Sequence, residues 1–358
     1  MLLVSVCLFV CVQCPVAAAQ QTTTSPARLE RSYWLHASLG LKPHRGYWGK
    51  TLPATTPPTE QEVANAVRLL SGDYAANRLY LLYHQEVALQ DAKRVFGWWR
   101  KHCPNGMELV PAVVLRRYDT SAGLTFTPEE LRDLCTFFKR EFRADRLAVF
   151  DVYPDRDQGP GLDVLAEAFP GRLIRLGIQP DEKLAPQFVA AVQDTWSGLC
   201  HGKTNADWLS PGFGAETFRR WVEARNGVGY PTAWDLIVVA WDYSTTARGE
   251  YPGYDDANKN MPLPVGRNVL AVGEVLRIAK PANLAGFSSD LTILQANSVK
   301  NPHDGLRDSF YDSLKRGQVY RGYYREPFAE MTAIYRRLRD GKQIELPTTM
   351  PASSQAAR

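Results

Sequence analysis

Three aspartates follow one short apolar segment and could provide carboxylates for acid–base chemistry. Residues 147–150, Leu-Ala-Val-Phe, lie between charged residues and a loop rich in proline and glycine, which predicts a buried parallel strand rather than a helix. Asp151 directly follows this strand, with Asp155 and Asp157 in the loop. A strand that ends in an acidic loop is typical of active sites in α/β barrels. The alternative is structural, with Asp151 capping the next helix or forming a salt bridge.

Strands and helices that could position these residues alternate along the chain. Two predicted helices begin with a capping box, Thr59 with Glu62 and Thr127 with Glu130. Apolar runs predict eight strands, at residues 32–39, 78–83, 108–115, 147–150, 172–178, 188–192, 236–240 and 291–294. Amphipathic patterns predict helices at residues 59–70, 89–101, 127–142, 162–169, 215–224, 265–278 and 328–339.

This alternation predicts a single-domain α/β fold, a (β/α)8 TIM barrel. Parallel strands joined by right-handed helical crossovers can close into such a barrel over about 250 residues. An open doubly wound sheet is the alternative. No G-x-G-x-x-G turn follows an early strand, so the pattern favours the barrel.

Barrel geometry would bring the residues after each strand to one shared mouth. Carboxylates held close together there would repel, which raises the pKa of one of them towards the value that a general acid needs. Aromatic faces beside amides and carboxylates suit a sugar, which stacks on a ring and needs hydrogen bonds for its hydroxyls. The predicted mouth contains His36, Glu86, Arg116, Tyr118, Asp151, Tyr153, Gln179, Asp181, Asp194, Trp196, Trp241, Asp242, Tyr243, Gln295 and Asn297.

With these residues the chain resembles an exported (β/α)8-barrel glycoside hydrolase over Tyr33–Arg339. Asp151 after the fourth strand and Asp194 after the sixth resemble, in position, the nucleophile and acid/base of the α-galactosidase-like clan. The resemblance implies an enzyme that cleaves glycosidic bonds with a carboxylate pair at the barrel mouth.

The site prediction separates catalytic from substrate-binding residues. Asp151 is the predicted nucleophile or base and Asp194 the predicted acid, with Glu86 and Asp242 as the next pair. Glu86 could equally cap the helix that begins near Leu89. The predicted substrate-binding residues are Arg116, Tyr118, Tyr153, Trp196, Trp208, Trp241, Tyr243 and Gln295. We expect no metal and no cofactor, because no cysteine–histidine spacing matches a zinc site.

Two other functions remain open from the sequence. A lyase, or another enzyme acting on acidic polysaccharide, would use Arg116, Arg117 and Tyr118, since arginine binds carboxylates in a planar fork. A non-catalytic barrel would bind glycan through aromatic residues such as Trp196 and Trp241. We expect no nucleic-acid partner, because the net charge of +4 is spread along the chain without a basic run.

The termini predict an exported protein with one folded domain. Residues 1–19 are apolar with small residues at the end, which is typical of a signal peptide, although a membrane anchor is the alternative. A linker at residues 20–31, a barrel at residues 32–345 and a disordered tail at residues 346–358 would follow. We therefore expect a secreted or periplasmic protein without stable membrane association. Of the cysteines left after cleavage, Cys103 and Cys135 are the expected pair if a bridge forms.

Overall fold

The computed structural model describes eight strands and six helices within residues 30–39, 57–83, 89–115, 126–150, 160–177, 188–194, 234–237, 284–290, 310–320, 325–340 and 342. The strands are β1 (Glu30–His36), β2 (Arg78–Tyr83), β3 (Glu108–Val114), β4 (Leu147–Phe150), β5 (Leu173–Gly177), β6 (Phe188–Asp194), β7 (Trp234–Ile237) and β8 (Leu284–Asp290). The helices are α1 (Glu60–Ser71), α2 (Leu89–His102), α3 (Pro128–Arg140), α4 (Pro160–Ala168), α5 (Phe310–Arg316) and α6 (Arg325–Arg339).

The sheet is parallel throughout its described strands. Each strand pairs with the next along the chain, and β8 pairs with β1, so the pairing closes on itself. From β1 to α4, strands and helices alternate as the sequence predicts. The predicted α/β class is therefore confirmed. The helices predicted at residues 215–224 and 265–278 lie outside the described residues.

Both predicted capping boxes are present. In α1 the Thr59 Oγ1 accepts from the Glu62 N–H at 3.3 Å, and the Glu62 Oε2 accepts from the Thr59 N–H at 2.6 Å. Thr127 and Glu130 make the equivalent bonds at 3.2 and 2.7 Å, and Pro128 occupies the first turn of α3. Each box satisfies backbone donors that a helix start leaves open. Among the described residues, no helix is both long and apolar enough to cross a bilayer.

Several predicted boundaries differ from the observed ones, most clearly at β8, β7 and the start of β1. β8 spans Leu284–Asp290 instead of residues 291–294, because the strand contains small and polar residues that an apolar-run criterion rejects. β7 begins at Trp234 and not at 236. The predicted linker ended at residue 31, yet Glu30 and Arg31 belong to β1, where Glu30 pairs with Arg78 of β2.

The two faces of β1 have different environments. On the outer face the Arg31 guanidinium lies 4.3 Å from the centre of the Tyr33 ring, and the Tyr33 hydroxyl donates to the Tyr74 carbonyl at 3.2 Å. On the inner face Ser32 contacts Ser288 of β8, and Trp34 packs edge-on against Tyr80 of β2. Even-numbered residues of β1 therefore line the interior of the sheet.

Cys103 and Cys135, the expected pair if a bridge forms, are not bridged. Both thiols are free, and Cys103 donates to the Met107 carbonyl at 3.2 Å beyond the end of α2. Cys135 is buried in the middle of α3 among the aromatic residues of the core. Burial raises the pKa of both thiols. Their position on or near neighbouring helices was a weak basis for a bridge, because a disulfide needs two close side chains of matching direction.

Candidate active site

At the N-terminal ends of the first four strands, charged side chains form ion pairs on the inner side of the sheet. Glu30 binds Arg78, and Arg78 Nη2 lies 2.8 Å from Glu108 Oε2. Arg146, directly before β4, binds the same Glu108 carboxylate at 2.7 Å. We call these four residues the charge ladder. The charges compensate one another, so this end of the sheet is stabilised rather than prepared for a substrate.

Above the charge ladder, the inner side contains a pair of serines and a pair of aromatic residues. The Ser32 and Ser288 hydroxyls are hydrogen-bonded to each other across β1 and β8. Trp34 and Tyr80 have ring centres 6.5 Å apart at an angle of 86°, and each is only 1% exposed. These two aromatic side chains pack against each other on the inner side, below the C-terminal ends of β1 and β2.

Two of the eight residues that end the described strands are carboxylic acids. Asp194 is the last residue of β6 and stands in register with Ile237 of β7. Asp290 is the last residue of β8 and stands in register with Trp34 of β1. Carboxyl ends of parallel strands share one edge of the sheet, so both acids lie on the edge at which α/β proteins bind ligands.

Asp290 is a candidate that the sequence analysis missed. It was missed because the eighth strand was predicted seven residues too late, starting at 291 instead of Leu284. The signal available in the sequence was the Ser-Ser-Asp end of residues 284–290, which follows the apolar segment Leu-Ala-Gly-Phe. Asp194 has its predicted place at the end of the sixth strand, and its predicted role as the acid stays a prediction.

The other predicted site residues lie outside the described part of the chain. Their roles, catalytic or substrate-binding, stay predictions. They are Glu86, Arg116, Tyr118, Asp151, Tyr153, Trp196, Trp208, Trp241, Asp242, Tyr243 and Gln295.

His36 ends β1 at the same edge of the sheet. Its side chain belongs to the even-numbered, inner face, and the residue is 3% exposed. Its backbone N–H donates to the Tyr311 hydroxyl of α5 at 2.9 Å, and the two rings lie 6.1 Å apart. The sequence places His36 at a strand end, but it gives no sign that Tyr311 approaches it across 275 residues.

Two buried tyrosines on the outer side of the sheet have raised pKa values. Burial raises the pKa of Tyr33, and the nearby Arg31 charge opposes part of this rise. Burial likewise raises the pKa of Tyr74. Both phenols therefore stay protonated and serve as hydrogen-bonding groups of the core. Within the described ranges, no group of three or more His, Cys, Asp or Glu residues could hold a metal ion.

Comparisons with known proteins give only distant structural similarities. No family model matches the chain, and no curated protein matches it. The chain is similar to AmyP in complex with maltose, with a TM-score of 0.48 and 10% identity over 88% of this chain and 79% of AmyP. For the N-acetylneuraminate lyase of Mycoplasma synoviae the TM-score is 0.39, with 9% identity over 77% and 72% of the two chains. For the N-acetylneuraminate lyase of Fusobacterium nucleatum the TM-score is 0.36, with 9% identity over 92% of this chain and 94% of the lyase.

Proposed function

We propose that the chain is an exported, single-domain (β/α)8-barrel enzyme that hydrolyses a glycosidic bond at the C-terminal ends of its strands. The observation that carries the proposal is the closed parallel pairing with Asp194 and Asp290 at two strand ends. Acidic residues at this edge fit a site in which a carboxylate transfers a proton.

The register of the strands supports the barrel. Followed round the sheet from His36 of β1, the pairing leads to Ala190 of β6. From Val192, two residues further along β6, it continues to β7, β8 and Glu30 of β1, so the net stagger is eight residues. A stagger of eight residues over eight strands is the geometry of TIM barrels, and it tilts every strand by about 36°. The residues that define this path are Leu82, Ala112, Ala148, Ile174 and Ala190, then Val192, Asp235, Gly286 and Glu30.

Two carboxylates would divide the chemistry. Asp194 donates a proton to the departing oxygen, and Asp151 acts as nucleophile or as the base that activates water. A separation of about 5–5.5 Å between the carboxyl groups would give retention at the anomeric carbon, and about 6.5–9.5 Å would give inversion. Substrate hydroxyls and ring faces would bind the residues that follow the other strands, including Tyr118, Trp196 and Gln295.

The proposal also includes the cellular location of the protein. Cleavage after residues 1–19 would release a secreted or periplasmic protein whose partner is an oligosaccharide or polysaccharide. Sequencing the N terminus of the exported protein tests the cleavage. Recovery of an intact N terminus in the membrane fraction would instead support the anchor.

The activity is tested with the full chain against a panel of aryl glycosides and polysaccharides. We expect hydrolysis of at least one compound, and a loss of about 10³-fold or more in kcat for Asp194→Asn and Asp151→Asn. The two losses should not add, because the groups serve one transition state. Asp163→Asn is the matched control, since Asp163 is exposed on α4 and should leave kcat unchanged.

The same panel separates the competing functions. Unsaturated products from a uronate polymer would show a lyase, and binding without turnover would show a glycan-binding barrel. If both Asn variants keep nearly full activity on a confirmed substrate, the assignment is wrong. The variants Glu86→Gln, Asp242→Asn and Asp290→Asn then become the next tests.

A further inference from the structure

We propose that the protein binds a uronate-containing polysaccharide on a second, non-catalytic surface, at the end of the sheet away from the proposed active site. This surface is formed by the C-terminal ends of α1, α5 and α6, in the helical layer outside the charge ladder. Its binding does not depend on the proposed hydrolysis. We call the exposed cations of these helix ends the basic corner, which consists of Arg68, Arg316, Arg336, Arg337, Arg339 and Lys342.

Hydrogen bonds between the three helix ends hold the basic corner together. Arg68, in the last turn of α1, donates from Nη2 to the Gly317 carbonyl just after α5 at 2.7 Å. Arg336, in the last turn of α6, donates from Nη2 to the Gly72 and Asp73 carbonyls just after α1 at 3.1 and 2.9 Å. The three helices therefore bring their last turns to one place, although Gly72 and Arg336 are 264 positions apart.

The basic corner lies beside the N-terminal ends of β1 and β2. The Tyr335 hydroxyl of α6 accepts from Asn77 Nδ2 at 3.1 Å. Asn77 directly precedes β2, and its Oδ1 accepts from the Arg31 N–H of β1 at 2.8 Å. The proposed active site is at the C-terminal ends of the strands, so a polymer bound at the basic corner leaves that site open.

The charge of the basic corner is large for the whole chain. A cation in the last turn of a helix is favoured by the helix dipole, which accounts for isolated examples. Here six exposed cations of three helices share one region with two carboxylates, Asp73 and Asp340, and the net charge of +4 equals that of the entire chain. Charge of one sign concentrated on one surface attracts a polyanion. The sequence shows no basic run, because the cations come from three distant segments.

Asp340 gives an example of the anion that fits this surface. Its Oδ1 accepts from Nε and Nη2 of Arg339 at 3.2 and 3.1 Å, and its Oδ2 lies 3.8 Å from Lys342 Nζ. These side chains are 42% to 64% exposed, so a carboxylate of a ligand can reach the same cations. Five of the six cations are arginines, whose planar guanidinium matches a carboxylate. The carboxylate of a uronate has this chemistry.

The spread of the cations over three helices favours a polymer as the ligand. A single exposed ion pair is weak, whereas a chain that repeats its carboxylates contacts several cations at once. A lipid bilayer is the less suitable anion, because a surface-bound protein also inserts apolar side chains. Among the described residues, Val319 beside the basic corner is the only large apolar side chain that is exposed.

The test measures the binding of the full chain to polygalacturonate by calorimetry. Neutral dextran, dextran sulfate and phosphatidylglycerol vesicles are the comparison ligands. We expect binding to polygalacturonate and not to dextran, weakening as salt screens the charges. The double variant Arg339→Gln/Lys342→Gln should raise Kd about fivefold to tenfold in about 0.05 M salt. The control Arg132→Gln/Arg140→Gln removes the same charge from exposed positions of α3 and should change Kd by less than about twofold.

Asp340→Asn tests the basic corner in the opposite direction. Because this substitution removes the carboxylate that Arg339 binds, the guanidinium becomes available to the polymer, and Kd should fall about twofold to fivefold. Asp133→Asn makes the same change of charge at an exposed position of α3 and should leave Kd close to that of the wild type. The melting temperature of each variant shows whether it is folded.

The outcomes distinguish the basic corner from the proposed activity. Weaker binding of polygalacturonate by the Arg339→Gln/Lys342→Gln variant, with the α3 control unchanged, supports the inference. Equal losses in both, binding only to dextran sulfate or only to vesicles, or no binding to polygalacturonate overturns it. Hydrolysis of the glycoside panel is measured separately. Its absence, with binding at the basic corner, overturns the proposed activity alone, and its presence without that binding overturns this inference alone.

Discussion

Arg146 binds Glu108 through two parallel hydrogen bonds, from Nε to Oε1 at 3.0 Å and from Nη2 to Oε2 at 2.7 Å. Arg78 binds the same carboxylate and also Glu30, so four charges of alternating sign join the N-terminal ends of β1 to β4. Paired, fork-shaped contacts of this kind hold strands in register more firmly than single surface ion pairs. Since the ladder lies at the end of the sheet away from the mouth, its loss should affect stability and not the site.

Glu30→Gln should destabilise the fold. The Glu30 side chain is 7% exposed and that of Arg78 is 16% exposed, so the substitution leaves a largely buried guanidinium with one carboxylate fewer. We expect the free energy of unfolding to fall by about 2 kcal/mol, between the values for exposed and buried pairs, as measured in urea. Asp91→Asn is the control. It breaks the exposed Asp91–Arg94 pair and should change stability by less than about 0.5 kcal/mol. Equal losses of unfolding free energy in Glu30→Gln and Asp91→Asn would show that the charge ladder stabilises the fold no more than a surface ion pair.

Trp99→Phe should be far more damaging than Trp98→Phe on the same helix. Trp99 is fully buried, and its Nε1 donates to the Ala37 carbonyl at 2.8 Å, next to His36. Losing ring volume and leaving a buried carbonyl unpaired should cost about 2–4 kcal/mol in thermal or urea unfolding. Trp98 is only partly buried, so its replacement should cost less than about 1 kcal/mol. Similar losses for both would contradict the described packing of α2.

The sequence predicted the elements whose signal is local. Capping at Thr59 and Thr127 depends on residues three positions apart, and the apolar runs of β2 to β6 are visible in any short window. These signals were enough for the α/β class. They also placed Asp194 at the C-terminal side of the sixth strand, of which it is the last residue.

The features that the sequence did not predict depend on contacts between segments far apart in the chain. β8 is not a continuous apolar run, because it contains Gly286 and Ser288. Ser288 is hydrogen-bonded to Ser32 of β1 inside the sheet, a contact that a short window of sequence does not show. The charge ladder needs the register of four strands, and the Tyr311–His36 contact joins residues 275 positions apart. Helix α5 has seven residues, too few to display a helical period. The failed Cys103–Cys135 pairing has the same origin, since proximity of helices does not fix the direction of side chains.

Gly317→Ala should destabilise the contact between α1 and α5. Gly317 follows α5 with a φ of 64°, and an added Cβ would lie 2.6 Å from Arg68 Nη2, which donates to the Gly317 carbonyl. Backbone strain and the displaced guanidinium should together cost about 1–2 kcal/mol in urea unfolding. Gly97→Ala is the matched control. Gly97 is exposed within α2 with open space around it, so alanine there should stabilise the fold by up to about 1 kcal/mol. A neutral Gly317→Ala would mean that this turn tolerates a side chain.

Cys135 should make the stability of the fold decrease in alkaline solution. Burial raises the pKa of its thiol to about 12, with Lys139 opposing part of the rise, whereas an unfolded thiol titrates near 8.5. Below pH 8.5 the thiol is protonated in both states, and its contribution does not vary with pH. As the pH rises from about 8.5 towards 12, only the thiol of the unfolded chain ionises, so the free energy of unfolding falls, by about 1–2 kcal/mol at pH 10.

Urea unfolding under reducing conditions at pH 7.5 and pH 10 measures this decrease. Cys135→Ala should show a smaller decrease than the wild type, and Cys103→Ala, at a less buried thiol, should stay close to it. Identical pH dependence in the wild type and Cys135→Ala would show that the Cys135 thiol is accessible to water in the folded protein.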